Sequence, residues 1–410
     1  MRLRIIAPWA AFVLAHVVVA VLGWVLPSQP MGDVVLVYQP WSASALSGGA
    51  IVGITETWVY PQLALVPMVI AQLLALPLAA LLGPQGAYLV AWALLVTICD
   101  LLAFVALVGR GAAARRRAAG WYWTGALMLL GPIAMYRIDA ITVPLAITAG
   151  LWLSRRPGVA AALLTVGAWI KIWPGALLLA AVVALRSRIR MLLVALAVTA
   201  GVIAVLLLLG ADSEVFGFLT EQASRGLQIE AVAATPFLWL AVAGSASIEY
   251  SYEILTYQTH APGVEFVAAV LTPLMMLGVL AITGAAVLRV RRGASWTGLF
   301  PPFALALVTT LIVANKVGSP QFQTWLIAPV VLWLIHDRAR AGGAAALVLL
   351  LCALTFAVYP LSYGGVLSAQ ALPIALLSIR NVLLVVLLAH AVRAMLRTPI
   401  SRTGTDHSRT

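Results

Sequence analysis

Lys171 stands alone in the stretch AAALLTVGAWIKIWPGALLLAAVVAL, with no acid nearby to balance it. A lysine at the middle of a membrane costs roughly 2.5 to 3.5 kcal/mol on insertion scales. Such a residue either snorkels to a surface, pairs with a distant acid such as Asp139, or waits for an anionic ligand at a hairpin tip. Arg137 in YRIDA, Arg225 in ASRGLQIEAV, Lys316 in NKVGSPQ and Arg380, seven residues past Pro373, are similarly isolated from the other basic residues. For Arg137 the choice is between a structural pair with Asp139 and a substrate contact, and Arg380 reads as lining a packed interface. Asp33, in PSQPMGDVVLVYQPW, either caps the segment that follows it or belongs to a site. Glu56, in ITETWVYPQ, is either a second carboxylate of that site or a solvated loop acid. His260, a lone loop histidine in YQTHAPG, reads as incidental.

The elements that must position these residues are apolar. Hydrophobic residues make up 63% of the 410 and charged residues 9%, and the mean hydropathy is +1.05. That balance excludes a soluble domain of useful size and implies an all-α, polytopic membrane bundle. The first run, residues 5 to 26, is longer than the core of a secretory signal. It lacks a clear small-residue cleavage site and reads as a retained helix. Cys99 and Cys352 both lie in apolar runs and read as packing residues. The net charge of +12 is dispersed in small groups between apolar runs, a topological pattern rather than a nucleic-acid surface.

Those groups are Arg2/4, Arg110 with Arg115 to Arg117, Arg155/156, Arg186/188/190, Arg289/291/292, Arg338/340 and Arg393/397/402/409. The positive-inside rule places them all in the cytoplasm. Each interval between them then crosses an even number of times. The run 158 to 185 must therefore be two short helices with WIKIWP at an outer turn, and 121 to 153 a hairpin tipped by MYRIDA. By the same rule 85 to 109 crosses once, with 61 to 84 interfacial or re-entrant. About twelve transmembrane helices result, with both termini inside and outer loops at 27–60 and 211–262. Residues 1–395 form one integral-membrane domain and 396–410 a disordered basic cytoplasmic tail. Ten of the 13 acids then fall outside, so the chemistry belongs on the extracytoplasmic side of a plasma-membrane protein. The short hairpins predict polar tips recessed below the outer surface, in a protein-lined cavity, because irregular backbone exposed to lipid is disallowed.

Four stretches, GDVVLVYQPW…WVYPQLALV, YRIDAITVPLAI with WIKIWPGALLL, RGLQIEAVAATPFLW, and NKVGSPQFQTWLIAPV, together resemble glycosyltransferase family 87 of the GT-C superfamily. The resemblance runs in order from the first outer loop to about residue 330. The chain departs where VYPQ replaces a common Tyr-Pro-Pro and YRID a common Gly-Gln-Phe-Asp. The resemblance implies a GT-C-like bundle with interfacial helices in the first outer loop. It also implies inverting transfer of a sugar, mannose first, from a polyprenyl-phosphate donor to a glycolipid or glycan acceptor. It makes Asp33 the general base. Arg225 and Lys171, then Arg137 and Lys316, become the phosphate ligands, and Gln228, Glu230, Gln321, Asp139 and Glu56 contacts for sugar or acceptor. No cofactor or metal is required, and the partners are membrane lipids and the lipid-linked donor, not nucleic acid. The competing class is a transporter or flippase of lipid-linked sugars, which commonly shows internal repeats and a midplane site; this chain has no repeat.

The topology is testable by single-cysteine labelling of intact cells. Positions 33 and 171 are expected to label from outside and position 113 only after permeabilisation. Labelling of 113 from outside would overturn the assignment.

Overall fold

The computed structural model describes residues 2–109, 112–218, 221, 225–251 and 256–400. Arg110, Glu253, Arg402, Asp406 and Arg409 lie outside the described residues. The chain is a helical bundle, and among the described residues its only sheet is one two-stranded hairpin.

Helix α1 (Arg2–Val25) leads into the turn that presents Asp33, and a π-helical turn, Val34–Tyr38, continues into α2 (Gln39–Leu46). The segment 27–60 thus contains helical turns. Next come α3 (Leu65–Ala75) and α4 (Ala79–Val108), the latter kinked where Gly83 adopts φ 70° ahead of Pro84. The Tyr88 hydroxyl donates to the Met68 carbonyl at 3.2 Å, so α3 folds back along the outer part of α4. Residues 61 to 84 thus do not simply prolong the crossing.

The hairpin of α5 (Ala114–Leu130) and α6 (Asp139–Trp152) turns at Gly131, whose φ of 60° suits glycine and whose missing Cβ makes room for the Phe356 ring. Residues 130 to 144 are all buried, so this tip is recessed. The run 158 to 185 is two helices, α7 (Pro157–Ile170) and α8 (Pro174–Ala184). Each opens on a proline in its first turn, where the missing N–H costs nothing. Lys171 lies in the turn between them.

The remaining elements are α9 (Arg188–Leu208), α10 (Thr235–Val242), α11 (Val264–Arg291), α12 (Trp296–Val313), α13 (Ile327–His336), α14 (Arg338–Phe356), α15 (Tyr363–Leu367) and α16 (Ala371–Leu396). Burial is graded from the inside out. Residues 299 to 310 of α12 are all buried, whereas α9 and α11 expose large apolar residues such as Leu193, Leu196, Leu277 and Leu280. Such outward hydrophobicity is stable only with lipid as the surrounding solvent, since water would penalise so continuous an apolar face.

Among the described residues, seven helical stretches are long and apolar enough to cross a membrane. The expected twelve counted five more, and at those places the helices are shorter: α5, α6, α7, α8 and α13 have 17, 14, 14, 11 and 10 residues. At ~1.5 Å per residue they reach ~15 to 25 Å against a ~30 Å hydrocarbon core. The protein is therefore a membrane-embedded helical bundle in which short helices bring loop backbone inward.

The loop expected at 211–262 has structure of its own. Strands Ser247–Ser251 and Thr256–His260 pair antiparallel, and Thr259 and Ile229 tie the hairpin to 227–229 through N–H bonds to Leu227 and Tyr257 carbonyls. The 227–231 segment also docks on NKVGSPQ, where Gln228 N–H donates to the Lys316 carbonyl at 3.0 Å. Gly318 allows this approach, because a Cβ there would collide with the backbone of Glu230 and Ala231. Residues 396–400, expected within a disordered tail, pack against the bundle. The Thr398 carbonyl accepts from Arg289, and Ile400 bridges to Ala294, while residues 401–410 lie outside the described residues.

Candidate functional site

Asp33 precedes the π turn and its side chain makes no capping hydrogen bond. Its carboxylate instead lies 3.3 Å from Nε of Arg137, with 37% of the side chain exposed. Arg137 is held from several directions. It donates through Nη1 to the Pro30 and Tyr136 carbonyls at 2.7 and 2.8 Å and through Nη2 to the Tyr359 hydroxyl at 3.3 Å. Tyr359 donates in turn to the Ser28 carbonyl at 3.1 Å. The hairpin tip, the first outer loop and the segment after α14 thus meet at one guanidinium.

Asp139, the first residue of α6, is fully buried beside this centre. Its Oδ1 accepts from Trp325 Nε1 at 2.5 Å, and its Oδ2 lies 3.9 Å from the Lys171 ammonium with no hydrogen-bond partner of its own. Trp325 is braced by the stacked ring of Trp173, centroids 6.2 Å apart, and Trp173 donates to Thr142 at 2.9 Å. Lys171 Nζ also lies 4.4 Å from the centre of the Tyr60 ring, a cation–π distance. The Tyr38 hydroxyl accepts from Ile138 N–H at 3.2 Å and is hydrogen-bonded to Tyr60.

Electrostatics place Arg225 in the same cluster. Burial lowers the Lys171 pKa; Asp139 and Asp33 oppose that shift, while Arg225 and Arg137 add to it. Arg225 is itself pushed down by burial, against the influence of Tyr60 and Glu221, and its Nε is buried without a hydrogen-bond partner. Tyr60 is held above the usual phenol range by burial first, then by Asp33 and Asp139. Three cations, Arg137, Lys171 and Arg225, therefore share a space with two carboxylates, Asp33 and Asp139. Glu221 also acts on Arg225, so the three cations face three carboxylates, and the Lys171–Asp139 pair, 3.9 Å apart, is the one left open to an anionic ligand.

The remaining expected residues divide. Glu230 is the counter-ion of Arg380, whose Nη1 meets Oε2 at 2.5 Å and whose Nη2 donates to the Glu230 carbonyl at 2.9 Å. Asn381 accepts from the same guanidinium. The pair expected between Arg137 and Asp139 is replaced by Arg137 with Asp33 and Lys171 with Asp139. Gln228 and Gln321 are buried at the docked loops, and Gln228 Nε2 has no hydrogen-bond partner. Lys316 enters that junction through its backbone carbonyl. Glu56 is exposed, in a turn closed by Gly53 N–H to the Glu56 carbonyl, which fits the solvated alternative. His260 is exposed and 4.0 Å from Glu249. Among the described residues no three His, Cys, Asp or Glu side chains converge as a metal site.

Sequence reading missed Tyr38, Tyr60, Trp173, Trp325 and Tyr359. Tyr60 and Tyr359 both occur in the tripeptide VYP at the outer end of an apolar run, a repeated signal that would have pointed to them. It also passed over His16, whose Nε2 lies 3.0 Å from Asp100 between α1 and α4.

A groove of about 280 Å³ opens beside the cluster, lined by Pro61, Trp169, Ile172, Leu196 and Phe218 among others. It is uncharged, and Pro61 and Ile172 are the direct chain neighbours of Tyr60 and Lys171. No family model, curated protein or solved structure matches the chain.

The Glu230–Arg380 pair generates a stability prediction. Glu230→Ala strands a buried guanidinium and is expected to cost ~3 to 5 kcal/mol. Adding Arg380→Leu is expected to restore most of it. Denaturant unfolding in detergent micelles measures both; a Glu230→Ala protein as stable as the parent would show that the pair is dispensable.

Proposed function

We propose that the protein is a membrane glycosyltransferase that moves a sugar from a polyprenyl-phosphate donor to a lipid- or glycan-linked acceptor on the extracytoplasmic side. The observation that carries this reading is the shared cluster itself. A partly exposed carboxylate, Asp33, is fixed by a guanidinium, and it shares its space with two further, half-buried cations, Lys171 and Arg225. The family resemblance of the surrounding stretches adds the reaction class, with mannose as the first choice of sugar.

In this mechanism an acceptor hydroxyl approaches the anomeric carbon from the Asp33 side. Its oxygen forms the new glycosidic bond while Asp33 takes its proton. On the opposite face the bond from the anomeric carbon to the phosphate oxygen breaks, and its electron pair leaves with the polyprenyl phosphate. The configuration inverts, so a β-linked donor gives an α-glycoside. Charge grows on the leaving phosphate as this happens, and cations fixed in a water-poor site stabilise that charge without reorganising. Lys171 and Arg225 take this role. Arg137 is already committed to Pro30, Tyr136, Tyr359 and Asp33, and so serves to position the base. Asp139 keeps Lys171 charged in an apolar surrounding, and the groove at Trp169 and Leu196 gives the isoprenoid chain a path to lipid.

Asp33→Asn removes the proton acceptor at nearly constant shape. It is expected to lower transfer by roughly 10²- to 10⁴-fold while donor binding persists. Membranes given radiolabelled polyprenyl-phosphate mannose, with lipid products separated, provide the measurement. Near-normal product formation would remove Asp33 from the chemistry.

A further inference from the structure

A second groove lies on the other side of the Asp33 segment. It has a volume of about 890 Å³ and is lined by Trp24, Gln39, Leu82 to Gly86, Leu89 and Val90. The kink at Gly83 and Pro84 shapes one wall. Leu81 and Leu82 are exposed at this end of α4, as are Trp24 on α1 and Leu36 in the π turn, so the groove opens where the apolar surface faces lipid.

The two grooves differ in what accompanies them. The smaller one is lined by Pro61 and Ile172, the chain neighbours of Tyr60 and Lys171. The larger one has no charged residue in its lining; its polar groups are the amides of Gln39 and Gln85, the Trp24 indole being hydrogen-bonded to Tyr136. An anionic lipid head finds no counter-charge in this lining, and amides suit hydroxyl groups. The short helical segment from Asp33 to Gln39 joins the two regions. Its Asp33 and Tyr38 face the charged cluster through Arg137 and Ile138, while Gln39 lines the larger groove.

We propose that this larger groove seats the acyl chains of the acceptor, an uncharged lipid with a polyol or sugar head, and so delivers a head-group hydroxyl to Asp33. The assignment rests on the transferase reading for the word acceptor, but the binding site stands on the groove alone. It makes the acceptor a membrane lipid rather than a free glycan. The two substrates would enter from lipid by different faces of the bundle, so neither has to leave for the other to bind.

Photolabelling tests it without relying on turnover. The full chain in nanodiscs is irradiated with a glucosyl diacylglycerol carrying a diazirine in one acyl chain, and labelled peptides are mapped. Label is expected to concentrate at Trp24 and residues 82 to 90 and to be displaced by unlabelled glucosyl diacylglycerol. Gly86→Leu projects a side chain into the groove, with only Leu82 near its Cβ. That variant is expected to cut labelling there by about tenfold, the loss of roughly two buried methylenes. A thermal unfolding curve confirms that it folds, and labelling of the lipid-facing surface of α11 serves as the internal reference. A diazirine polyprenyl phosphate is expected to label the groove at Trp169 and Leu196 instead. Three results would overturn the proposal: label spread evenly over α9 and α11, equal labelling of residues 82 to 90 by a phosphatidylglycerol with the same tail, or polyprenyl phosphate concentrating there. If the groove labels as expected but no glycolipid product forms in the transfer assay, the site stands and the transferase reading fails.

Discussion

The Arg137 guanidinium is the point on which this end of the bundle depends. A charge so buried is tolerable only if every donor finds an acceptor, and here the acceptors come from three separate parts of the chain. Satisfying Arg137 fixes the first outer loop over the recessed hairpin tip and leaves Asp33 facing outward on one side. The short helices α6 to α8 make this possible by bringing loop backbone to a depth where protein rather than lipid surrounds it. Sequence thus sets helix length, helix length sets the recess, and the recess imposes the charge pairing.

Two buried ion pairs on this side of the molecule show different states of completion. Arg380 and Glu230 close at hydrogen-bonding distance, with Asn381 filling further valences. Lys171 and Asp139 stay 3.9 Å apart, with an unfilled carboxylate oxygen and an ammonium resting on the Tyr60 ring. A closed pair holds loops together. An open pair beside an exposed carboxylate can exchange partners when an anion arrives, and that difference separates the structural role of Glu230 from the ligand-binding role proposed for Lys171.

Much of this was legible in the residues. Apolar run lengths and the grouping of arginines were enough to divide 158–185 into two helices and to put Lys171 at their turn, because charge and hydropathy act locally along the chain. The isolation of Arg137, Lys171, Arg225, Lys316 and Arg380 from the other arginine groups marked them as a set; three of these gather with Asp33, while Arg380 pairs with Glu230 and Lys316 joins the loop junction. Their pairing was legible only in part: Lys171 with Asp139 was one reading of that lysine, whereas Arg137 with Asp33 was not foreseen. Arg137 sits two residues from Asp139 yet takes Asp33 as its partner, since Asp139 turns inward with α6 toward Trp325 and Lys171. Glu230 was misread for the same reason: its partner Arg380 is 150 residues away and only tertiary packing brings them together. Aromatic residues escaped notice because Tyr and Trp at membrane interfaces are common, and only geometry separates those that hold a charge from those that anchor a helix.

The central claim is that a lipid phosphate is held by the Lys171 ammonium. Burial lowers the Lys171 pKa, so the ammonium is lost as pH rises, before a solvent-exposed lysine would titrate. The most direct measurement is polyprenyl-phosphate affinity by fluorescence anisotropy across the alkaline range, for the parent and for Lys171→Arg, whose guanidinium stays charged. The account predicts that parent affinity falls at a pH below the ordinary lysine value and that the arginine variant shifts the fall upward. Affinity that holds steady to high pH in the parent, or falls identically in both proteins, would contradict it.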